Sequence, residues 1–226
     1  MKRVVTIHQP NYLPWLGLFG KIKRSECFII LDNVGYNRKG IAHRNKIRVA
    51  SGWTWLTLPI SKSPLGTPIN EITLSGDTWR EKHWKTIKES YARSDYFNTY
   101  GIFFENLYKE NHEYLWQINE KIIFYMLDCF GTDVEVVRAS SLKRNPESRK
   151  TDLLIEILKE VGAETYISGS SGRNYLEMEK FKDCGINLEF FEFTHPVYKQ
   201  RYPGFEPGMA AIDLLFNLGE KSKELF

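Results

Sequence analysis

Val4-Val5-Thr6-Ile7-His8-Gln9-Pro10-Asn11-Tyr12-Leu13-Pro14, continued by Trp15 to Arg24 and by Cys27-Phe28-Ile29-Ile30-Leu31, decides the fold. Val4 to Ile7 is short and β-branched, as a buried strand requires. Pro10 and Pro14 each remove a backbone donor and restrict the residue before them, so the chain leaves the strand through an irregular loop. Trp15, Leu18, Phe19 and Ile22 then recur at helical spacing, which predicts a helix over about 15–24. Cys27 to Leu31 is a second buried strand ending at Asp32-Asn33. Strand, helix and strand in this order form a βαβ unit, with parallel strands and a right-handed crossover.

Working outward, Lys46 to Ala50 and Trp53 to Ile60 flank Ser51-Gly52, a hairpin signal. Ile69 to Leu74 reads as another short strand. Three helices are expected from Asp77 or Thr78 to Arg93, from Asp95 to Tyr108 and from His112 to Phe130, forming a helical insertion or lid at about 77–130. Alternation then resumes. Strands are expected at Asp133–Val137, Glu164–Ile167 and Leu188–Phe193, with helices at Thr151–Val161, about Asn174–Asp183, and Met209–Leu218. The expected fold class is α/β, with a mainly parallel sheet and flanking helices, Rossmann-like or nucleotidyltransferase-like, plus a β-hairpin and a helical insertion. The 226 residues are read as a single domain.

Composition narrows the classes. Hydrophobic residues at 42% and charged residues at 26% fit a folded protein and argue against disorder. The longest strongly apolar stretch, Cys27 to Leu31, is too short to span a bilayer. The run from Met1-Lys2-Arg3 to His8 is too short for a signal peptide, so a cytoplasmic location without membrane insertion is expected. Cys27, Cys129 and Cys184 are an odd count without a CxxC pair, against a disulfide framework or a cysteine-rich zinc site. Charge is distributed unevenly. Asn33 to Asn70 holds Arg38, Lys39, Arg44, Lys46, Arg48 and Lys62 and no carboxylate, within a chain whose net charge is only +3. A second basic cluster comprises Arg138, Lys143, Arg144, Arg149 and Lys150, opposed by Glu147. Such patches attract anions.

Ligands of open parallel sheets bind beyond the carboxyl ends of the strands. Three segments stand there. His8 to Pro14 packs an acid/base group, the carboxamides of Gln9 and Asn11 and the Tyr12 phenol ahead of a helix. His8 titrates nearest neutrality and is the candidate proton carrier. Asp32, at the end of a strand, can orient a base, bind a sugar hydroxyl or cap a turn. Beyond it lie Tyr36 and then Arg44, Asn45 and Lys46, where Arg44 can grip phosphate or carboxylate in two parallel hydrogen bonds. Ser168-Gly169-Ser170-Ser171-Gly172 is a flexible loop whose N–H groups can form an anion nest. It matches neither Walker A nor GxGxxG. No His or carboxylate spacing indicates a metal, and none is expected. His83, on a helix, and Gln200, after the last strand, are further candidates.

The chain resembles the WbqC-like proteins of bacterial surface-polysaccharide gene clusters. The resemblance rests on His8 to Gly17, Asp32 with Tyr36, Arg44-Asn45-Lys46-Ile47, His83-Trp84, Tyr166-Ile167-Ser168-Gly169 and Tyr175. Pro196 to Gln200, and Asp213-Leu214-Leu215 with Asn217 and Gly219, complete it. It implies a transferase of O-antigen and related lipopolysaccharide synthesis, attaching glycine or another acyl group to the amine of a nucleotide-linked amino sugar. On that reading His8 and Asp32 are catalytic. Gln9, Asn11, Tyr12, Tyr36, Arg44, Asn45, Lys46, His83, Ser168, Gly169, Ser170, Tyr175 and Gln200 bind substrate. The acyl donor is a charged tRNA, a coenzyme A ester or a carrier-protein thioester; apart from such a tRNA, no stable nucleic-acid complex is expected. A more distant similarity is to HxGH-type nucleotidyltransferases, from which Leu18 departs by occupying the second histidine's position. A third class is a non-catalytic nucleic-acid-binding protein, suggested by the basic stretch Tyr36 to Arg48 with Trp53 and Trp55 beyond it.

Overall fold

The computed structural model describes residues 3–143 and 145–226. Arg144 of the second basic cluster and the first two residues lie outside the described residues. The chain forms two compact units, each assembled from separated segments.

The first unit comprises Met1–Gln9, Gly17–Asn33 and Thr132–Thr194. Its core is a five-stranded sheet built from β1 (Val4–His8), β2 (Cys27–Ile30), β5 (Glu135–Arg138), β6 (Thr165–Gly169) and β7 (Asn187–Phe191), in the order β5-β2-β1-β6-β7. Every pairing is parallel. β1 and β2 join through α1 (Leu16–Ile22), as the βαβ reading predicts. The central strands have little room for polarity: Val5, Ile7 and all four residues of β2 are buried. Thr6 is the exception, and its hydroxyl donates to the Ile167 carbonyl at 2.8 Å, which satisfies it across to β6. Gly20 admits close packing of α1 on β7, since a Cβ there would stand 3.2 Å from the Phe191 ring.

α5 (Lys150–Glu160) follows, burying Leu153, Leu154, Ile157 and Leu158. Gly162 ends it in a left-handed conformation, φ 68°. The helix expected over 174–183 starts later. Ser170–Asn174 is instead a 3₁₀ turn, and α6 spans only Met178–Asp183. The turn holds because Gly172 packs against Ser168, where a Cβ would lie 2.3 Å from the Ser168 Oγ.

The second unit comprises Pro10–Leu16, Val34–Gly131 and His195–Phe226. It holds the antiparallel hairpin of β3 (Arg44–Val49) and β4 (Gly52–Thr57), then α2 (Thr78–Tyr91), α3 (Phe97–Lys109), α4 (Leu115–Cys129) and α7 (Ile212–Leu218). The three helices expected over 77–130 are present. Phe216 of α7 is the hub of their core, with ring centroids 5.2 Å from Tyr91 and from Phe97 and 5.6 Å from Phe104. The strand expected at Ile69–Leu74 is absent. Pro68 cannot donate to a ladder, and Ile69–Glu71 closes a 3₁₀ turn, with only isolated bridges at Thr73 and Leu74.

Among the described residues no helix is long and apolar enough to cross a membrane.

Candidate functional site

The strand order reverses direction between β1 and β6, which makes their carboxyl ends the switch point of the first unit's sheet. His8 is the last residue of β1, and Ser168 and Gly169 end β6. Asp32 lies two residues past β2 on the same edge. Three of the expected groups therefore share one edge of one sheet.

The His8 imidazole is half-buried, and its Nδ1 stands 2.8 Å from the Gln9 carbonyl oxygen. A carbonyl only accepts, so Nδ1 carries the proton and Nε2 keeps its lone pair in the neutral ring. Burial, and then the charge of Lys21, push His8 down to about 3. Lys21 escaped the sequence reading. It is buried, its ammonium donates to the Ile7 carbonyl at 3.0 Å, and burial pushes it down to about 7. The available signal was its place on the apolar stripe of α1, three residues after Leu18 and beside Ile22.

Lys21 makes the unit sensitive to pH. Between about 7 and the ordinary value of 10.5 the unfolded chain binds a proton there that the folded chain does not, so stability rises with pH across that window. The expected result is that wild type gains on Lys21→Met by up to about 1.4 kcal/mol per pH unit across 7.5–9.5 in urea unfolding. Parallel slopes for the two proteins would refute this.

Asp32 is committed locally. It is buried and accepts from the Ser140 backbone N–H at 2.9 Å and from the Ser140 hydroxyl at 2.5 Å. That ties the end of β2 to the 3₁₀ turn Ala139–Ser141 after β5. Ser168 is buried and Ser170 and Tyr175 are exposed, so the β6 loop offers both a packed base and an open rim.

Gln9, whose carbonyl holds His8, is in the first unit; the other candidates belong to the second unit, where most are held by the fold. Asn45 Nδ2 donates to the Leu13 carbonyl at 2.6 Å, and Asn119 Nδ2 donates to the carbonyls of Pro10 and Ala42. These bonds fix a loop in which Leu13 takes φ 44°, a conformation that non-glycine residues adopt only when their surroundings impose it. Asn11 is buried there, and its Nδ2 has no hydrogen-bond partner among the described residues. Tyr12, His83 and Tyr108 form a closed relay. His83 donates to the Thr57 carbonyl, so its Nδ1 accepts from the Tyr12 hydroxyl at 2.8 Å. The Tyr12 oxygen in turn accepts from Tyr108. Burial pushes His83 down to about 4 and Tyr12 well above its ordinary value. Tyr108 was not foreseen, because its spacing on α3 reads as core.

Gln200 joins a second closed network. The buried Asp213 carboxylate accepts from Tyr91 at 2.9 Å, from Tyr198 at 2.7 Å and from Gln200 Nε2 at 2.9 Å. Burial raises Asp213, while these donors and the nearby Arg48 oppose the rise.

Arg44 and Lys46 face outward on the hairpin. The Arg44 guanidinium lies 4.8 Å from the Trp55 ring centroid, and the Lys46 ammonium lies 4.0 Å from that of Trp53. Both tryptophans are exposed. Tyr36 is buried and meets the His43 ring edge-on at 5.5 Å.

The fold and this geometry define an α/β protein with an acid/base group at the switch point of a parallel sheet. The model of the WbqC-like protein family matches residues 9–225. The chain belongs to that family. It is also similar to an uncharacterized protein of Mycobacterium tuberculosis, Rv1507c, at 29% identity over 99% of this chain and 97% of that protein. No solved structure matches.

Proposed function

We propose that the protein is a transferase of surface-polysaccharide biosynthesis that attaches an aminoacyl group, glycyl in the first instance, or another acyl group to the amine of a nucleotide-linked amino sugar. The observation that carries this reading is the place of His8 at the end of β1, beside the switch point of the sheet. Nδ1 is spent on the Gln9 carbonyl, which leaves Nε2 as the nitrogen that can meet a substrate at the switch point. When the sugar amine attacks the acyl carbonyl, a C–N bond forms, the donor's leaving group departs and the amine must lose a proton. His8 Nε2 is the acceptor of that proton. Asp32, through Ser140, fixes the neighbouring floor of the sheet edge.

Within the second unit, the exposed hairpin face is by itself suited to binding a nucleotide. Arg44 and Lys46 supply charge for phosphates, and Trp53 and Trp55 supply flat surface for a base. That chemistry serves both a nucleotide sugar and the acceptor end of a charged tRNA, and a direct assay separates them. Purified protein is incubated with uridine and thymidine diphospho-amino sugars and with glycyl-tRNA, a coenzyme A ester or a carrier thioester, and products are read by mass spectrometry. The expected product is the sugar nucleotide heavier by one acyl group. Changing Trp53 and Trp55 together to Ala should weaken nucleotide or tRNA binding by about tenfold or more. Absence of acylated product with all three donors, together with adenylyl transfer from ATP, would favour the nucleotidyltransferase-like alternative.

A further inference from the structure

Within the second unit a cavity of about 340 Å³ opens between the loop carrying Tyr36 and Arg38 and the segment that follows β4. Its walls are fixed by backbone bonds: Tyr36 N–H to the Thr67 carbonyl, Leu58 N–H to that of His43, and Ser61 N–H to that of Thr73. Arg38 lines it and is anchored by an N–H to the Ser63 carbonyl at 2.7 Å, and Lys62 lines it as well. No carboxylate lines the cavity, and the surrounding sequence from 33 to 70 contains none.

His43 completes the lining. It is only 8% exposed, and its buried Nδ1 has no hydrogen-bond partner among the described residues. Arg44 adds positive potential, since its charge acts on both His43 and the Tyr36 phenol. Two cations and apolar walls from Leu58, Pro59 and Ile60 describe a receptor for a compact, doubly charged anion on a small organic body.

We infer that this cavity binds the phosphoryl group of a small phosphate ester of sugar size, with Arg38 and Lys62 meeting its charge. A carboxylate would leave one cation unmatched. The volume lies near the lower bound for small-molecule sites, which leaves room for the phosphoryl group and one ring beside it. The inference does not rest on proton transfer at His8.

The test is calorimetric titration of the full chain with glucose 1-phosphate, with glucuronate and glucose as controls of similar size. Glucose 1-phosphate should bind, the controls should not, and Arg38→Gln and Lys62→Gln should each weaken binding about ten- to a hundredfold. Arg38 and Lys62 are both exposed, so neither variant should disturb the fold. His8→Ala should bind the ester as wild type does, which separates this site from the transfer reaction. Lack of binding, equal binding of glucuronate, or unchanged affinity in Arg38→Gln would overturn the inference.

Discussion

Replacing Asp213 with alanine is expected to destabilise the protein by about 3–5 kcal/mol, because it strips one acceptor from several buried donors at once. The Tyr91 and Tyr198 hydroxyls and the Gln200 amide all end on this carboxylate. Each is buried, so none can turn to bulk water. Arg48 is buried nearby, and its guanidinium already spends N–H groups on the carbonyls of Val49, Gly52 and Pro203. Its Nε has no hydrogen-bond partner among the described residues. Losing the carboxylate therefore also leaves a cation less compensated. Asp213→Asn should lose less, since one oxygen remains to accept while the new amide opposes the Gln200 N–H. Urea unfolding of the two variants measures this. Equal and small losses, under about 1 kcal/mol, would mean that the network relaxes onto other partners.

The second large effect concerns rate. His8→Ala is expected to reduce acyl transfer by about 10²–10⁴-fold, the usual range for losing a positioned base, while leaving the melting temperature close to wild type. The pH profile gives a sharper reading. With His8 pushed down to about 3 by burial and by Lys21, the base stays unprotonated through the neutral range. Its protonation should place no acid limb on kcat/KM near the ordinary 6.5. A limb at that value would indicate a solvated imidazole instead. Wild-type turnover by His8→Ala would remove it from the chemistry.

The sheet was legible because its strands are short, apolar and punctuated by proline and glycine. Val4 to Ile7 and Cys27 to Leu31 could hardly be anything else. The hairpin was equally plain around Ser51-Gly52. Ile69 to Leu74 misled because β-branched residues mark a strand only where the backbone is free to pair, and Pro68 starts a 3₁₀ turn instead. The edge that carries His8, Asp32 and Ser168 followed from topology. What could not be read were the partners. Nothing local reveals that Asp32 meets Ser140, 108 residues on, or that Tyr12 meets Tyr108. Lys21 is the instructive miss, because a lysine on an apolar stripe normally extends its ammonium to water. Here the helix buries it, and its ammonium ends on the Ile7 carbonyl of β1.

The parallel order of the sheet has a consequence for biosynthesis. Thr6 finds its β6 partner 161 residues later in the chain. At about 5–20 residues per second, the first strand waits roughly 10–30 s on the ribosome before that neighbour is made. For most of this delay β1 and β2 are newborn Val- and Ile-rich segments without their flanking strands, open to pairing with other nascent copies. Chaperone demand during translation should therefore fall once β6 and β7 have left the exit tunnel, and truncated chains ending before Thr165 should aggregate where the full chain does not.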